Sequence, residues 1–246
     1  MIDLQPLLSR LAAVPGMEAG APRLVLLLSQ LGDFDSLEYA QALVPVLPQL
    51  DRVGIQVLAI AIGDGAGADR FCAFTGFPRE RLQVEADASL HRALGCSPGL
   101  QLPGGPWPAL FLMCAGIGSP GTLAEVVRGY TGDRRAPQCF DDEAVVETGV
   151  LPAFPAALFR RAGGHGFQRP FELATVRLRN MNEVLRRWRT YVPDDRFITQ
   201  RGGTFLLAAD DSPLYVHRDR GILGFSATMH RPLAFLDPWL QADAAA

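Results

Sequence analysis

One apolar segment that ends in a turn constrains the fold of this chain more than any other feature. Residues 24–28 are five consecutive aliphatic residues, and a Gly-Asp turn begins at Gly32. A strand that is apolar on both faces is typical of the centre of a sheet covered by helices. Ser36 is a good N-cap residue, and apolar residues at helical spacing follow it. The segment therefore predicts a central strand over 23–29, a tight turn and a helix over 37–50 that Pro45 bends.

Strand and helix patterns alternate on the C-terminal side of this segment. The further predicted elements are a strand over 54–62, a helix over 66–75, a strand over 82–85, a helical turn over 89–94, a hairpin from strands 202–207 and 214–217, and a helix over 226–240 broken near Pro232. Strand, helix and strand at this spacing indicate a parallel βαβ unit. The chain is thus predicted to be α/β, a sheet flanked by helices with a large, partly helical insertion.

The order of these elements also predicts how the chain is divided. The predicted division is 1–22 for an N-terminal helix and linker, 23–96 for the first half of the sheet domain, 97–198 for the insertion, and 199–246 for the second half with the hairpin and the final helix. A chain of 246 residues is long enough to bury a core of this size.

Composition excludes several classes of function. All 23 basic residues are arginine, so neither a Schiff-base lysine nor a phosphate-loop lysine is present. The four cysteines are far apart, form no CxxC pair and have no metal-ligand spacing with the histidines. We therefore expect no metal and no cofactor. The first residues lack a signal-peptide pattern, and no apolar stretch is long enough to span a bilayer, which predicts a cytoplasmic protein.

Positive charge is concentrated in one part of the predicted insertion. Residues 160–201 contain ten arginines and four acidic residues, although the whole chain has a net charge of −3. Within this window, 171–191 has apolar residues at helical spacing and arginines on much of the other face. The candidate partner-binding residues are Arg177, Arg186, Arg187, Trp188 and Arg189. Two interpretations stay open: a helix packed on the core, or a docking helix for an acidic protein or a membrane surface.

A glycine motif at 116–121 has the spacing GxGxxG. A dinucleotide site would need a following strand that ends in an acidic residue about 20 residues later. Residues 130–142 are instead polar and interrupted by Pro137, and Pro120 removes a backbone donor from the motif. We interpret it as a tight turn in which Thr122 caps a following helix.

Four short motifs together point to a known family. They are Leu-Gly-Asp-Phe-Asp-Ser at 31–36, Phe-Cys-Ala-Phe-Thr-Gly-Phe-Pro at 71–78, Asp-Ala-Ser-Leu-His at 87–91 with Leu-Gly at 94–95, and Thr-Gln-Arg-Gly-Gly-Thr-Phe at 199–205 with Tyr-Val-His-Arg at 215–218. With these motifs the chain resembles the AhpC/TSA antioxidant superfamily, in its peroxiredoxin-like 2 branch. It resembles an AhpC/TSA-type family of cyanobacteria more closely still. The resemblance implies a thioredoxin-like fold over 23–95 and 199–240.

The resemblance also locates a site, and the chain departs from the family pattern there. Peroxiredoxin-like 2 proteins carry Gly-Cys-x-x-Cys at the first motif, whereas this chain has Asp33 and Ser36 at the two cysteine positions. Neither residue can form a sulfenic acid or a disulfide. The resemblance thus implies a degenerate active-site loop. The residues expected in it are Gly32, Asp33, Phe34, Asp35, Ser36 and Glu38, with Gly203 and Thr204 from the hairpin.

The carboxylates of this loop have two interpretations. Asp33, Asp35 and Glu38 surround one predicted helix N-terminus. They could form an acidic pocket for general acid–base chemistry or for a hard cation. Alternatively, they cap the helix and balance its dipole, which requires no further function.

Two functional hypotheses follow. The first is a redox-degenerate thioredoxin-like or peroxiredoxin-like protein that binds a protein partner or a small ligand, in a regulatory or assembly role that the resemblance places in photosynthetic cells. The second is an oxidoreductase that reduces peroxides or disulfides through a non-standard cysteine. Any of the four cysteines (Cys72, Cys96, Cys114 and Cys139) could serve, and Cys72 and Cys96 are singled out as catalytic candidates. No nucleic-acid partner is expected.

Overall fold

A computed structural model describes residues 3–243 of the protein. The first two positions of the predicted segment 1–22 and the last three of 199–246 therefore lie outside the described residues. Within 3–243 the strands are β1 (Arg23–Gln30), β2 (Gln56–Ile62), β3 (Leu82–Glu85), β4 (Val145–Val146), β5 (Phe154–Pro155), β6 (Gly203–Leu207) and β7 (Pro213–Arg218). The α-helices are α1 (Gln5–Leu11), α2 (Phe34–Leu43), α3 (Leu47–Arg52), α4 (Gly65–Thr75), α5 (Ser89–Ala93), α6 (Pro106–Cys114), α7 (Thr122–Thr131), α8 (Ala157–Gly163), α9 (Glu172–Arg186), α10 (Trp188–Tyr191) and α11 (Asp237–Asp243).

Five strands form one mixed sheet in the order β3-β2-β1-β6-β7. The first three run parallel to one another, and β6 and β7 are each antiparallel to their neighbour. The strands β4 and β5 form a separate small pair. This arrangement confirms the predicted α/β fold class, a thioredoxin-like sheet flanked by helices.

The core lies on both faces of the sheet, because alternate residues of a strand point to opposite faces. Leu24 and Leu26 of β1 pack with α2, α3 and α4 on one face. Val25 and Leu27 pack with α1 and α5 on the other. All eight residues of β1 are buried, which agrees with the prediction of a central strand.

The helix after β1 begins earlier than predicted. Its N-cap is Asp33, whose side chain accepts a hydrogen bond from the Asp35 N–H, and Ser36 lies inside the first turn. Both residue types cap helices well; Asp33 is selected because its second carboxylate oxygen is held by other buried groups. The predicted bend at Pro45 is confirmed, since a short 3-10 turn over Val44–Val46 separates α2 from α3.

The predicted final helix over 226–240 is wrong in its first half. Residues 226–233 form turns, followed by a 3-10 turn over Ala234–Leu236 and then α11. The Ser226 hydroxyl donates to the carbonyl of Pro232 at 2.8 Å and accepts from the Thr228 N–H at 3.3 Å. Serine side chains that bond to the nearby backbone compete with helix formation.

The segment 97–198 contains α6 to α10 and the β4–β5 pair. The apolar residues before the glycine motif form the helix α6 rather than a strand, which argues against a dinucleotide site. Thr122 is the first residue of α7 rather than its cap; its hydroxyl donates to the Ile222 carbonyl at 2.9 Å. All strands of the main sheet come from outside this segment. Its description as an insertion stays a prediction.

The predicted amphipathic helix over 171–191 divides into α9 and α10 at Arg187. Its face toward the core includes Leu173 and Val184, whereas Leu185 is exposed. Among residues 3–243, no helix is both long enough and apolar enough to cross a bilayer.

Candidate functional site

The turn after β1 places hydroxyl and carboxylate groups at the start of α2. Ser29 Oγ donates a hydrogen bond to Asp33 Oδ2 at 2.7 Å and lies 3.3 Å from Ser36 Oγ. Gly32 is needed in this turn because an added Cβ would lie 2.5 Å from Cγ2 of Val192. Since a helix N-terminus stabilises negative charge, this turn favours carboxylates.

Arg201 supplies the positive charge at the same place. It comes just before β6, which is antiparallel to β1, so the pairing brings it to the end of β1. Its guanidinium pairs with Asp33 and lies 3.5 Å from Asp35 Oδ2, while its Nε donates to the Thr199 carbonyl at 3.1 Å. The side chain is almost completely buried. A buried charge is tolerated only where it is paired and hydrogen-bonded, so the arginine and the carboxylates depend on one another.

Asp35 points into the protein and not toward solvent. Its two carboxylate oxygens accept the N–H of Leu223 at 2.8 and 2.7 Å. Burial raises the pKa of Asp35 well above its ordinary value, and the negative charge of Asp33 adds to this rise. Asp35 therefore joins the start of α2 to the loop that follows β7.

Asp219 is the third carboxyl group of the cluster. Its Oδ2 accepts the Gly202 N–H at 3.2 Å, whereas its Oδ1 has no hydrogen-bond partner among the described residues; His217 Nε2 lies 3.6 Å from it. Burial raises the pKa of Asp219 to about 7, against the opposing effect of Arg201. Gly202 permits the close approach of the chain to β1 at this point, because an added Cβ would lie 2.2 Å from the carbonyl oxygen of Leu27.

The two predicted site residues of the hairpin, Gly203 and Thr204, lie next to the cluster of Asp35, Arg201 and Asp219. The hydroxyl groups of Thr204 and Tyr39 share a hydrogen bond at 2.8 Å, and the Tyr39 ring stacks on Phe225 with centroids 4.6 Å apart. Gly203 is buried and lines a small cavity together with Asp35, Ser36 and Tyr39 of α2; an added Cβ would lie 2.8 Å from the carbonyl oxygen of His217. Both predicted hairpin positions therefore lie beside α2.

Glu38 lies apart from the two aspartates and bonds in another direction. Both of its carboxylate oxygens accept from Arg177, at 2.7 and 3.1 Å, and Arg177 also donates to the carbonyl of Glu125 at 2.8 Å. This ion pair joins α2, α7 and α9. The three acidic residues predicted around one helix N-terminus therefore do not form a single pocket.

An apolar cavity of about 540 Å³ opens beside this junction, between α7, α9 and the loop after β7. Its lining includes Phe34, Cys114, Val126, Tyr130, Phe154, Phe159, Phe171, Leu178, Met181 and Ile222. Arg177 is the charged residue in this lining, and Glu38 and Glu125 already neutralise it. A cavity of this size with aromatic walls and few polar groups is typical of a small-molecule site.

Two further cavities help to interpret this one. A small cavity of about 80 Å³ lies directly over Gly32 and Asp33 and shares Phe34 and Cys114 with the apolar cavity. A groove of about 760 Å³ lies on the Glu38 side of α2. Its charged side chains include Arg128, which is paired with Glu125 and Gln168 rather than open to a ligand. The apolar cavity thus adjoins the predicted loop at Phe34 and is the larger of the two cavities that Phe34 and Cys114 line.

The predicted cysteine candidates lie away from the loop. Cys72 is buried on α4, and burial raises the pKa of its thiol to about 11. Cys96 is buried after α5, and burial raises its pKa to about 12. Cys114, at the end of α6, is exposed and lines both cavities; burial of its thiol and the charge of Asp33 raise its pKa.

The predicted partner-binding residues are not all on one surface. Arg177 is paired inside the protein, whereas Arg186, Arg187 and Arg189 are exposed and Trp188 is half-buried. Arg187 pairs with Glu183 at 2.7 Å and Arg189 with Asp195 at 3.2 Å. Within the described part of the chain, no three His, Cys, Asp or Glu side chains are arranged to hold a metal ion.

Sequence reasoning missed Arg201 and Asp219 as site residues. Arg201 was visible only as one member of a hairpin motif and of the arginine-rich window, and Asp219 follows β7 without any motif of its own. The available signal was positional: residues just before β6 or just after β7 lie beside the end of β1 once the antiparallel pairing is known.

A family model described as AhpC/TSA antioxidant enzyme matches residues 42–221, which is more than half of the chain. The matched region includes Arg201 and Asp219 and begins after the Gly32–Ser36 turn. Neither the curated proteins nor the solved structures include a significant match to the chain.

Proposed function

The chain belongs to the AhpC/TSA antioxidant enzyme family, and we propose that, as a member of this family, it binds a small apolar ligand and performs no thiol chemistry at the β1–α2 junction. The buried cluster of Asp33, Asp35, Arg201 and Asp219 carries this proposal. Thiol peroxidases and disulfide reductases need a sulfur nucleophile. This junction presents oxygen atoms, and its arginine is already paired with carboxylates.

The adjoining cavity supports an apolar ligand in particular. Aromatic and aliphatic side chains line it, and its arginine is neutralised by Glu38 and Glu125. An anionic ligand would have to compete with two carboxylates for that arginine, at a desolvation cost. An uncharged molecule instead gains from the burial of apolar surface. Ligand binding of this kind would serve a regulatory or assembly role.

The first experiment fills the cavity and measures binding of an uncharged fluorescent probe. N-phenyl-1-naphthylamine should bind the wild-type protein with enhanced fluorescence. Ala174 lines the cavity, and Ala174→Phe places a ring inside it. We expect at least about tenfold weaker probe binding, because the ring occupies the apolar volume that the probe would otherwise bury.

The matched control is the same substitution on the neighbouring helix. Ala124 lies on α7, is exposed and does not line the cavity. Ala124→Phe adds an identical ring outside the cavity and should leave probe affinity unchanged. Equal probe affinity in Ala174→Phe and in the wild type, with both proteins folded, would contradict the proposal.

A second candidate function is an oxidoreductase that uses Cys114. The observation that favours it is location, since Cys114 is exposed and shares both cavities with the loop. A hydroperoxide would transfer one oxygen to the thiol, giving a sulfenic acid and releasing an alcohol. Treatment with tert-butyl hydroperoxide, a sulfenic-acid trap and mass spectrometry distinguishes the two functions. Rapid labelling in the wild type that is lost in Cys114→Ser supports the oxidoreductase, and no specific labelling supports ligand binding alone.

A further inference from the structure

The helix α6 carries several exposed apolar side chains within an uncharged stretch of the sequence. From Ala93 to Ala124 the chain contains no charged residue and no histidine. Trp107, Phe111 and Leu112 of α6 are exposed, and 67% of Phe111 is accessible to solvent. Exposed apolar residues that cluster on one element mark an interaction surface, unlike single exposed residues.

Arginines lie immediately beside this exposed helix. The Trp107 ring contacts that of Trp188 with centroids 5.2 Å apart, which joins α6 to α10. Asp195 accepts the Trp107 indole N–H at 3.2 Å and also pairs with Arg189 at 3.2 Å. Asp195 begins a 3-10 turn over Asp195–Phe197, which also carries Arg196. The exposed apolar helix and these arginines therefore form one continuous surface, the α6–arginine surface.

The arginines of this surface are ion-paired, and they are more exposed than their aspartate partners. The Arg189 side chain is 73% exposed and its partner Asp195 is 26% exposed. The Arg196 side chain is 78% exposed and its partner Asp194 is 28% exposed. In both pairs the arginine side chain is thus more accessible to an approaching surface than the carboxylate side chain.

We propose that the α6–arginine surface docks the protein on an anionic lipid bilayer. Phe111 and Leu112 would enter the acyl region, the indole of Trp107 would lie at the headgroup level, and Arg189 and Arg196 would bind lipid phosphates. The nine residues of α6 span about 14 Å, so the helix lies in the interface and does not cross the hydrocarbon core. A partner surface that is acidic throughout would pair with the arginines and leave Phe111 and Leu112 exposed, whereas an anionic bilayer supplies both the negative charge and the apolar phase.

Vesicle flotation of the full chain tests the proposal. We expect binding to vesicles of phosphatidylcholine mixed with phosphatidylglycerol, weaker binding to phosphatidylcholine alone, and loss of binding at high salt. Phe111→Asp should lower the partition coefficient between vesicles and water at least about tenfold, because the ring of Phe111 is no longer buried in the bilayer. Arg189→Ala should weaken it about fivefold.

Two control variants separate this surface from a general effect of charge. Leu214 is an exposed apolar residue near the start of β7, at the opposite end of the sheet from Asp33. Arg135 pairs with Asp133 and is as exposed as Arg189. Leu214→Asp and Arg135→Ala should bind vesicles like the wild type.

Three results would overturn the proposal. The first is that the wild type binds neither kind of vesicle. The second is that the wild type and Phe111→Asp bind vesicles equally well. The third is that the wild type does not bind vesicles but self-associates, and that Phe111→Asp abolishes the self-association. The last result would identify the surface as an interface between copies of the chain. None of these measurements depends on the apolar cavity, so they do not test the ligand-binding proposal.

Discussion

Replacement of Asp219 by Asn should remove a large pH dependence of stability. Asp219 is buried, and only one of its two carboxylate oxygens has a hydrogen-bond partner within the described structure. Burial raises its pKa from 3.8 to about 7; the Asp33 charge adds to the rise, and the Arg201 charge opposes it. The folded protein therefore keeps a proton on Asp219 at pH values where the unfolded chain has lost it.

The sign of the effect follows from proton linkage. Between about pH 4 and about pH 7 the folded state binds more protons than the unfolded state, so the free energy of unfolding decreases as the pH rises. A pKa shift from 3.8 to about 7 corresponds to about 4 kcal/mol at most, at about 1.4 kcal/mol for each unit. Asparagine keeps an oxygen that can accept the Gly202 N–H and does not ionise. Relative to the wild type, Asp219→Asn should gain stability as the pH rises.

Urea denaturation at a series of pH values, followed by circular dichroism, measures this difference. The difference between variant and wild type removes the distant titrating groups, which are common to both proteins, and reports on Asp219 together with its effect on Asp35. The Asp219 charge raises the pKa of Asp35, so both contributions have the same sign. Asp69→Asn is the control; it removes an exposed carboxylate that pairs with Arg79, and its difference from the wild type should stay small at every pH. A difference between Asp219→Asn and the wild type that does not change from about pH 4 to about pH 8 would refute the reasoning.

Two further predictions concern buried groups near β1. Burial lowers the pKa of His91 to about 4, and its ring donates to the Leu28 carbonyl at 2.7 Å. The contribution of His91 to wild-type stability, opposite in sign to that of Asp219, should therefore fall by up to about 3 kcal/mol as the pH decreases from about 6.5 to about 4. His91→Gln keeps a donor and should lose this dependence in the same urea titration; an unchanged slope would contradict it. Gly202→Ala should lower stability by about 2 kcal/mol or more, because the new Cβ meets the Leu27 carbonyl oxygen at 2.2 Å. Gly65→Ala is the control, because its new Cβ meets no atom within 4 Å. In thermal melts Gly65→Ala should be as stable as the wild type, and an equal loss of stability in both variants would argue against a steric cause.

The main sheet could be predicted because its signals are local. The aliphatic run of β1, the hairpin of β6 and β7 and the bend at Pro45 each depend on residues close together in the sequence. The N-cap of α2 shows where local signals fail. Asp33 and Ser36 are both capping residues, and the choice of Asp33 depends on Arg201, which the hairpin brings from far along the chain.

The candidate site was predicted only in part, for the same physical reason. The positions of Gly32 to Ser36, Gly203 and Thr204 followed from motifs, and the structure does bring them together. The direction in which each of these side chains points could not be predicted from the motifs. Glu38 turns toward Arg177 on α9, because a pairing across helices cannot be read from the sequence of one helix. The cavity also depends on α7 and α9 packing side by side, and neither helix carries a motif for it.

The buried cluster and the apolar cavity are two consequences of one packing arrangement. The Leu223 N–H holds Asp35, and Leu223 and its neighbour Ile222 also line the cavity. Phe34 lies between Asp33 and Asp35 in sequence and faces the same cavity. The charges fix the first turn of α2 and the loop after β7, because an unpaired charge at this depth would be very costly. That rigidity keeps the cavity wall in place without a ligand, and a cavity that is already formed binds an apolar molecule at a lower entropic cost.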